Sequence, residues 1–227
     1  MPKIADKSID LVVVDLPYGQ TSCAWDVPID LTKMWWHLKR ILKPNGQVIF
    51  FCTTKFGYKL IESNEKWFRY DLVMEKNIPV GYLSTKKLPM RAHEMIYVFH
   101  PQTKPKDLKW TYNPQMIQGK PYIHIKGLNN VLYNATTPRI ASKSDGKRYP
   151  RSVIKVTNAN HKTIHNTQKP LEIIEWLLNT YSNEGDLVLD FTAGSCTTAV
   201  GAINTKRRYI CIEKDPEIYK KALERMC

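Results

Sequence analysis

Two short stretches of this chain combine residue types that do more than shape the backbone. The first is Asp15-Leu16-Pro17-Tyr18, directly behind the apolar run IDLVVV. Asp and Pro both stop a strand, so an ordinary turn accounts for part of it. It does not account for Tyr18, an aromatic at the tip of a turn that needs a partner to stack on. The second stretch is DFTAGSCTT, residues 190–198. A turn of this kind between a buried strand and a helix places backbone N–H groups, and the positive end of a helix dipole, in the crevice at the strands' carboxyl ends. The next strand ends in Glu213, an acid suited to holding ribose hydroxyls. Neither GxxxxGK[ST] nor GxGxxG occurs, so the phosphate-cradling readings fit poorly. With Asp190 before the turn and Glu213 after it, a nucleoside-type cofactor is the better reading.

The elements that must position these groups alternate as in an open α/β sheet. IDLVVVD has the length and apolarity of a buried parallel strand. LTKMWWHLKRILKPNG spaces Leu31, Met34, Trp35, Leu38, Ile41 and Leu42 on a helical period and stops at Pro44-Asn45-Gly46. QVIFFCT, YDLVMEK and HEMIYVFH read as strands, with KFGYKLIESN as a helix after the first of them. KPLEIIEWLLNTYSNEG is an amphipathic helix closed by Gly185. LVLDF, a helix from about Cys196, the strand YICIEKD and a terminal helix follow.

The 227 residues suit one compact domain carrying one insertion. No apolar run approaches the roughly 20 residues needed to span a bilayer. Five scattered cysteines with no CxxC pair read as reduced thiols of a cytoplasmic protein, neither a disulfide framework nor a zinc site. The net charge of +13 is unevenly placed. From Pro101 to Lys162 there are twelve Lys/Arg against two acids, Asp107 and Asp145, while the remainder is close to balanced. That segment interleaves aromatics and bases with turn residues, as in GKPYIHIKG and SKSDGKRYPRS. A solvated loop-rich insertion would share this texture, but a loop of about sixty residues with no core of its own is more often functional. Lysine and arginine hold phosphates while tyrosine and asparagine reach base edges or stack, so 101–162 reads as a nucleic-acid-reading insertion between two catalytic segments, 1–100 and 163–227. Lys143, Lys147, Arg148 and Arg151 are its candidate phosphate contacts.

In this order the motifs resemble the β-class of S-adenosylmethionine-dependent DNA amino-methyltransferases, especially the short phage-type adenine methylases. Asp15-Leu16-Pro17-Tyr18 is similar to the D-P-P-Y motif of that class. HNTQKPLEIIEWLL resembles its HxTQKP helix, and DFTAGSCTT its cofactor loop. The resemblance covers nearly the whole chain. It implies a Rossmann-like, mostly parallel methyltransferase sheet in circularly permuted order, with the catalytic motif ahead of the cofactor motifs. It also implies S-adenosylmethionine bound through Asp190, Phe191, Gly194, Ser195 and Glu213, with Thr167 and Lys169 nearby. Double-stranded DNA is the implied partner, acting on a base turned out of the duplex. Tyr18 would stack on that base, the Asp15 carboxylate and Leu16 carbonyl would accept its amine hydrogens, and Pro17 would fix the turn.

The chain departs from the pattern at three places. Leu16 replaces the usual first proline, and Cys196 stands where the loop usually has glycine. The segment that usually precedes the catalytic strand, with an acid toward the cofactor's adenine, is expected to be absent. Adenine-N6 methylation is favoured because Asp15 opens the motif. Cytosine-N4 methylation, a catalytically impaired DNA-binding copy, an RNA substrate and a homodimer stay open.

Overall fold

The computed structural model describes residues 1–21, 23, 26–101, 110–125, 129–130, 135–136, 141–157 and 168–226. Along the chain come β1 (Ile9–Asp15), α1 (Leu31–Ile41), β2 (Leu42–Cys52), α2 (Thr54–Ser63), β3 (Phe68–Val80) and β4 (Arg91–Phe99). Six short strands follow: β5 (Ile117–Gln118), β6 (Tyr122–Ile125), β7 (Asn129–Asn130), β8 (Ala135–Thr136), β9 (Ala141–Ser144) and β10 (Lys147–Arg148). The chain then forms β11 (Val153–Val156), α3 (Leu171–Tyr181), β12 (Leu187–Asp190), α4 (Thr197–Asn204), β13 (Arg208–Cys211) and α5 (Pro216–Met226).

Among the described residues the main sheet runs β11-β3-β4-β2-β1-β12-β13. β1 pairs in parallel with β2 and β12, β12 with β13, and β3 with β11, while β4 runs against both of its neighbours. This is the mostly parallel α/β sheet expected from the sequence. The apolar run of β1 serves both faces, as strands buried on two sides do. Val12 and Val14 pack with Met34, Trp35 and Leu38 of α1 and with Phe56 and Leu60 of α2. Leu11 and Val13 pack with Ile173, Ile174, Leu177 and Leu178 of α3. α1 and α2 begin where side chains cap them: Asp30 accepts from Lys33 N–H at 3.1 Å and Thr53 from Phe56 N–H at 3.3 Å. No helix among the described residues is long and apolar enough to cross a membrane.

Two compact units emerge, Met1–Asn113 with Ser152–Cys227, and Pro114–Arg151. The second is narrower than the 101–162 stretch marked by charge. Gln47 Nε2 donates to the Thr111 carbonyl at 2.7 Å and Asn113 N–H to that of Thr180 at 2.8 Å, which ties residues 110–113 to the first unit. On the other side, β11 extends the main sheet beside β3. The charge excess and the fold boundary coincide only in part, because a solvated edge strand carries lysines as readily as a loop does.

The second unit is more ordered in its pairing than its turn-rich sequence suggests. β5 pairs with β10, β6 with β9 and β7 with β8, all antiparallel, so among the described residues the unit consists of nested two-stranded ribbon segments. Gly146, at φ +98°, lets the ribbon close tightly; a Cβ there would lie 2.1 Å from the Gly119 carbonyl oxygen. Paired strands of only two to four residues are too short to set up a visible apolar–polar alternation, and so they leave little pattern in the sequence.

The seating of α2 on the sheet depends on a missing side chain. A Cβ on Gly57 would lie 2.1 Å from Cε2 of the buried Tyr97 ring. Gly57→Ala should therefore lose about 1–3 kcal/mol of stability through overpacking, against the gain in helix propensity that alanine brings elsewhere. A urea midpoint unchanged or raised in this variant would mean that α2 does not pack so closely.

Candidate active site

The side-chain alternation that sends Leu11 and Val13 toward α3 continues to Asp15, at the carboxyl end of the central strand. There the Lys169 ammonium, two residues before α3 begins, lies 2.5 Å from Asp15 Oδ2. The Tyr18 hydroxyl donates to Asp15 Oδ1. Lys169 also meets Glu94 Oε2 of β4 at 3.3 Å, and Lys76 of β3 meets Glu94 Oε1 at 3.0 Å. The result is a chain of alternating charge, Asp15–Lys169–Glu94–Lys76, laid across β1, β4 and β3.

Burial opposes charge on Lys169, but the Asp15 and Glu94 carboxylates more than offset it and hold the ammonium above the ordinary lysine range. Burial likewise opposes charge on Glu94, and the two lysines outweigh it, leaving this carboxyl below its usual value. Burial and then the Asp15 carboxylate raise the Tyr18 hydroxyl well above the tyrosine range, so Tyr18 remains a donor. Its ring rests on Phe56, with centroids 5.3 Å apart and planes tilted by 40°. Leu16, in place of a proline, is buried in the α1–α2 side of the core, so packing holds this end of the turn.

Lys169, which the resemblance puts near the cofactor, pairs with Asp15 of the first motif and with Glu94. Glu94 and Lys76 were not singled out from the sequence. Their signal is an acid inside the apolar strand HEMIYVFH and a lysine near the end of YDLVMEK. Asp26 was missed as well. Its carboxylate accepts N–H bonds from Gly19 (2.8 Å), Gln20 (2.8 Å) and Thr21 (2.7 Å), and the Thr21 hydroxyl at 2.9 Å. Burial works against the charged form, but these donors prevail and bring Asp26 down to about 2. The segment after Tyr18 is thereby pinned to a buried acid. Gly19 is required there: its φ is +64° and a Cβ would lie 2.5 Å from Pro28 Cγ.

The second cluster lies at the carboxyl ends of β12 and β13. Asp190 is buried and fully engaged, accepting from the Thr198 hydroxyl at 2.6 Å and Thr192 N–H at 3.1 Å. Glu213 Oε2 accepts Gly194 N–H at 2.7 Å, and Oε1 accepts the N–H groups of Lys214 and Asp215. Ser195 is buried, with its hydroxyl 3.2 Å from that of Thr197 and its carbonyl taking a bond from Arg225 at 3.0 Å. Asp190, Ser195 and Glu213 thus hold the loop in shape, while Phe191 packs against the core. Cys196 adopts φ +56°, the left-handed conformation that glycine takes more easily, at a cost of about 1–2 kcal/mol. Its buried thiol packs among Ala193, Ala199, Ala222 and Cys211, which offsets part of that strain. Thr167 lies outside the described residues.

Burial above all raises the Asp190 carboxyl to about 6; its hydrogen bonds to Thr198 and Thr192 pull it down, and the nearby Asp15 and Glu213 push it up. The Thr192 hydroxyl oxygen is buried with no partner among the described residues, and a Cβ on Gly194 would meet nothing within 4 Å.

An acid whose folded value exceeds its unfolded value of 3.8 keeps its proton when the unfolded chain has already lost it. Stability of the wild type should therefore fall as pH rises from about 4 to about 6 on account of this group. Asp190→Asn, which retains an acceptor for Thr192 N–H, should be more stable than wild type at pH 7.5 by on the order of 1–3 kcal/mol, and the gap should shrink toward pH 4. Urea denaturation at the two pH values checks this, and a gap that widens on acidification would show that the site favours the anion.

Comparison with known proteins agrees with this arrangement. Residues 9–224 match the N6/N4 methyltransferase family, described as DNA methylase. The type II methyltransferase M.HpaI of Haemophilus parainfluenzae is 28% identical over 242 residues, covering 100% of this chain and 70% of that protein. M1.MboII of Moraxella bovis is 25% identical over 98% of this chain and 90% of its own length. The DNA adenine methyltransferase YhdJ of Escherichia coli (strain K12) is 44% identical over 62 residues, 27% of this chain and 21% of that protein. Among solved structures, the M1.HpyAVI–SAM complex shares the fold with a TM-score of 0.62 at 23% identity, covering 96% of this chain and 89% of the other. The cytosine-N4-specific PvuII DNA methyltransferase does so with a TM-score of 0.68 at 15% identity, covering 100% and 82%. With a catalytic-type acid on β1, a cofactor-type loop after β12 and a family match over almost its entire length, the chain belongs to the N6/N4 family of DNA methylases.

Proposed function

We propose that this protein methylates the exocyclic N6 amine of adenine in double-stranded DNA, drawing the methyl group from S-adenosylmethionine. The observation that carries the proposal is the position of Asp15, held by Lys169 and Tyr18 at the carboxyl end of β1, beside the crevice bordered by Asp190 and Glu213. S-adenosylmethionine bound in that crevice supplies an electrophilic methyl on a sulfonium. In this reading Glu213 accepts from the ribose hydroxyls, with Phe191 and Gly194 beside it, and the Asp190–Ser195 turn keeps the loop in shape. The local negative charge favours a sulfonium over an uncharged nucleoside.

Asp15 keeps acceptor capacity beyond its bonds to Tyr18 and Lys169, because each carboxylate oxygen carries two lone pairs. Those lone pairs, with the Leu16 carbonyl, are the acceptors for the two hydrogens of the target amine. Withdrawing these hydrogens from the ring plane localises the nitrogen lone pair as positive charge develops. Tyr18, backed by Phe56, offers its remaining ring surface to the flipped base. An opening aspartate, and the segment shared with an adenine methyltransferase, support adenine over cytosine. The ribbon of 114–151 supports duplex DNA, since the major groove admits a two-stranded β-ribbon. Lys143, Lys147 and Arg151 are exposed on it. Arg148 is partly committed, bonding the Lys120 carbonyl at 3.0 Å and lying over the Tyr122 ring at 4.7 Å.

Mass spectrometry of nucleosides from DNA treated with the purified protein and S-adenosylmethionine should reveal N6-methyladenine. N4-methylcytosine in its place would reassign the base, and neither product would overturn the proposal. Asp15→Asn should lower the methylation rate on the order of 10²–10³-fold with little change in cofactor affinity. A variant without the charges of Lys143, Lys147, Arg148 and Arg151 should bind DNA with a shallower salt dependence, by about 0.9 in log–log slope for each phosphate no longer neutralised. An unchanged slope would remove the ribbon from the DNA interface.

A further inference from the structure

The turn joining β3 to β4 is the most exposed apolar feature among the described residues of the first unit, and neither the fold nor the reaction described above requires it. Leu83 at its tip is 99% exposed and Tyr82 beside it 76%. The tip has a built shape. Gly81 turns the chain at φ +98°, Ser84 N–H donates to the Gly81 carbonyl at 3.0 Å, and the Thr85 hydroxyl and N–H both donate to the Tyr82 carbonyl. Such local bonding holds two large apolar side chains outward without the support of a core.

Its location is set by the sheet. β4 is antiparallel to both β2 and β3, and β2 is parallel to β1, so β3 ends at the same edge as β1 and Asp15. The hairpin springs from the strands that carry Lys76 and Glu94, the far end of the charge chain that begins at Asp15. From Met74, the register partner of Glu94, β3 continues six residues to Val80, a reach of at most about 20 Å at about 3.3 Å per residue. B-DNA grooves are only about 7.5–8.5 Å deep, so the tip extends far enough to enter a duplex whose target base occupies the active site. Between Asn77 and His93 the sequence holds Lys86, Lys87 and Arg91 and no acid. An apolar tip flanked by cations fits a polyanion with an apolar interior, the stacked bases of a duplex, better than it fits another protein surface.

We propose that Tyr82 and Leu83 form a wedge that enters the DNA helix and fills the space left when the target base turns out toward Tyr18. This rests on the DNA-methylation reading above. The wedge replaces the stacking that the neighbouring base pairs give up, and so it lowers the free energy of the extruded state without touching the reacting atoms. Tyr82 and Leu83 are therefore positioning residues, and their contribution is largest when the target base is paired.

The experiment begins with the wild-type protein, whose methylated site is located by sequencing treated DNA. Duplexes of that site are then prepared fully paired and with a mismatch opposite the target base. The double variant Tyr82→Ala, Leu83→Ala should lose on the order of 10–100-fold in kcat/KM on the paired duplex and less than about threefold on the mismatched one, where the base is already unstacked. Cofactor affinity and melting temperature should match wild type, because both side chains lie outside the core. Tyr82→Phe with Leu83→Met should restore the paired-duplex rate. An equal loss on both duplexes, or no loss on either, overturns the wedge while leaving methylation standing. A wild type that methylates neither duplex overturns the methylation reading and the wedge with it.

Discussion

The arrangement of this site depends on one buried cation. Lys169 joins parts of the chain far apart in sequence, the end of β1 through Asp15 and β4 through Glu94, from a position just ahead of α3. Desolvating an ammonium and two carboxylates costs several kcal/mol per ion, and the mutual attraction must recover that before anything is gained. The second lysine, Lys76, matters for this reason: it satisfies the oxygen of Glu94 that Lys169 does not reach. Removing any one member leaves an uncompensated charge, which typically costs about 3–5 kcal/mol. An apolar replacement of the same volume could hold the strands together as well. What it could not do is fix the direction of the Asp15 carboxylate, which Lys169 and Tyr18 hold from two sides.

The same logic of shared acids links the two halves of the crevice. β1 and β12 are neighbours, and Asp15 and Asp190 lie close enough for each charge to be felt by the other. Lys169 neutralises the first. The second carries only hydroxyl and amide donors, which soften the burial penalty without removing it. The two acids at the carboxyl ends of neighbouring strands therefore differ in kind: Asp15 is held charged by an ion pair, and Asp190 is buried among neutral donors.

Much of this was legible in the sequence because it depends on local pattern. The apolar run of β1, the helical period of α1 and α3, and the strand–turn–helix around Gly194 each leave a signature within a dozen residues. The positive φ of Cys196 could be anticipated for the same reason. What the sequence hid is long-range. Nothing near Lys169 says that its ammonium crosses to an acid 154 residues away. Nothing near Asp26 says that its carboxylate gathers three consecutive backbone N–H groups. Glu94 was visible only as an acid in an apolar strand, which reads equally well as a solvated edge. The ribbon was hidden differently, since strands of two to four residues are too short to show a period.

The departures from the family pattern keep the path of the main chain while changing the side chain. Leu16 supplies the same carbonyl that a proline would, and its side chain replaces the ring's rigidity by packing into the α1–α2 core. Cys196 adopts the left-handed geometry of a glycine while its thiol packs in a small apolar cluster. In both cases a main-chain path is held by burial in place of backbone preference. At Gly19 no such exchange is open, because a Cβ would run into Pro28 and unseat the loop that Asp26 gathers. Positions whose side chains can turn inward tolerate substitution, and positions where another residue already fills the space do not. By this reasoning Gly19, rather than Leu16, is where the motif following Asp15 is most tightly constrained, since the Pro28 ring occupies the volume that any other side chain would need.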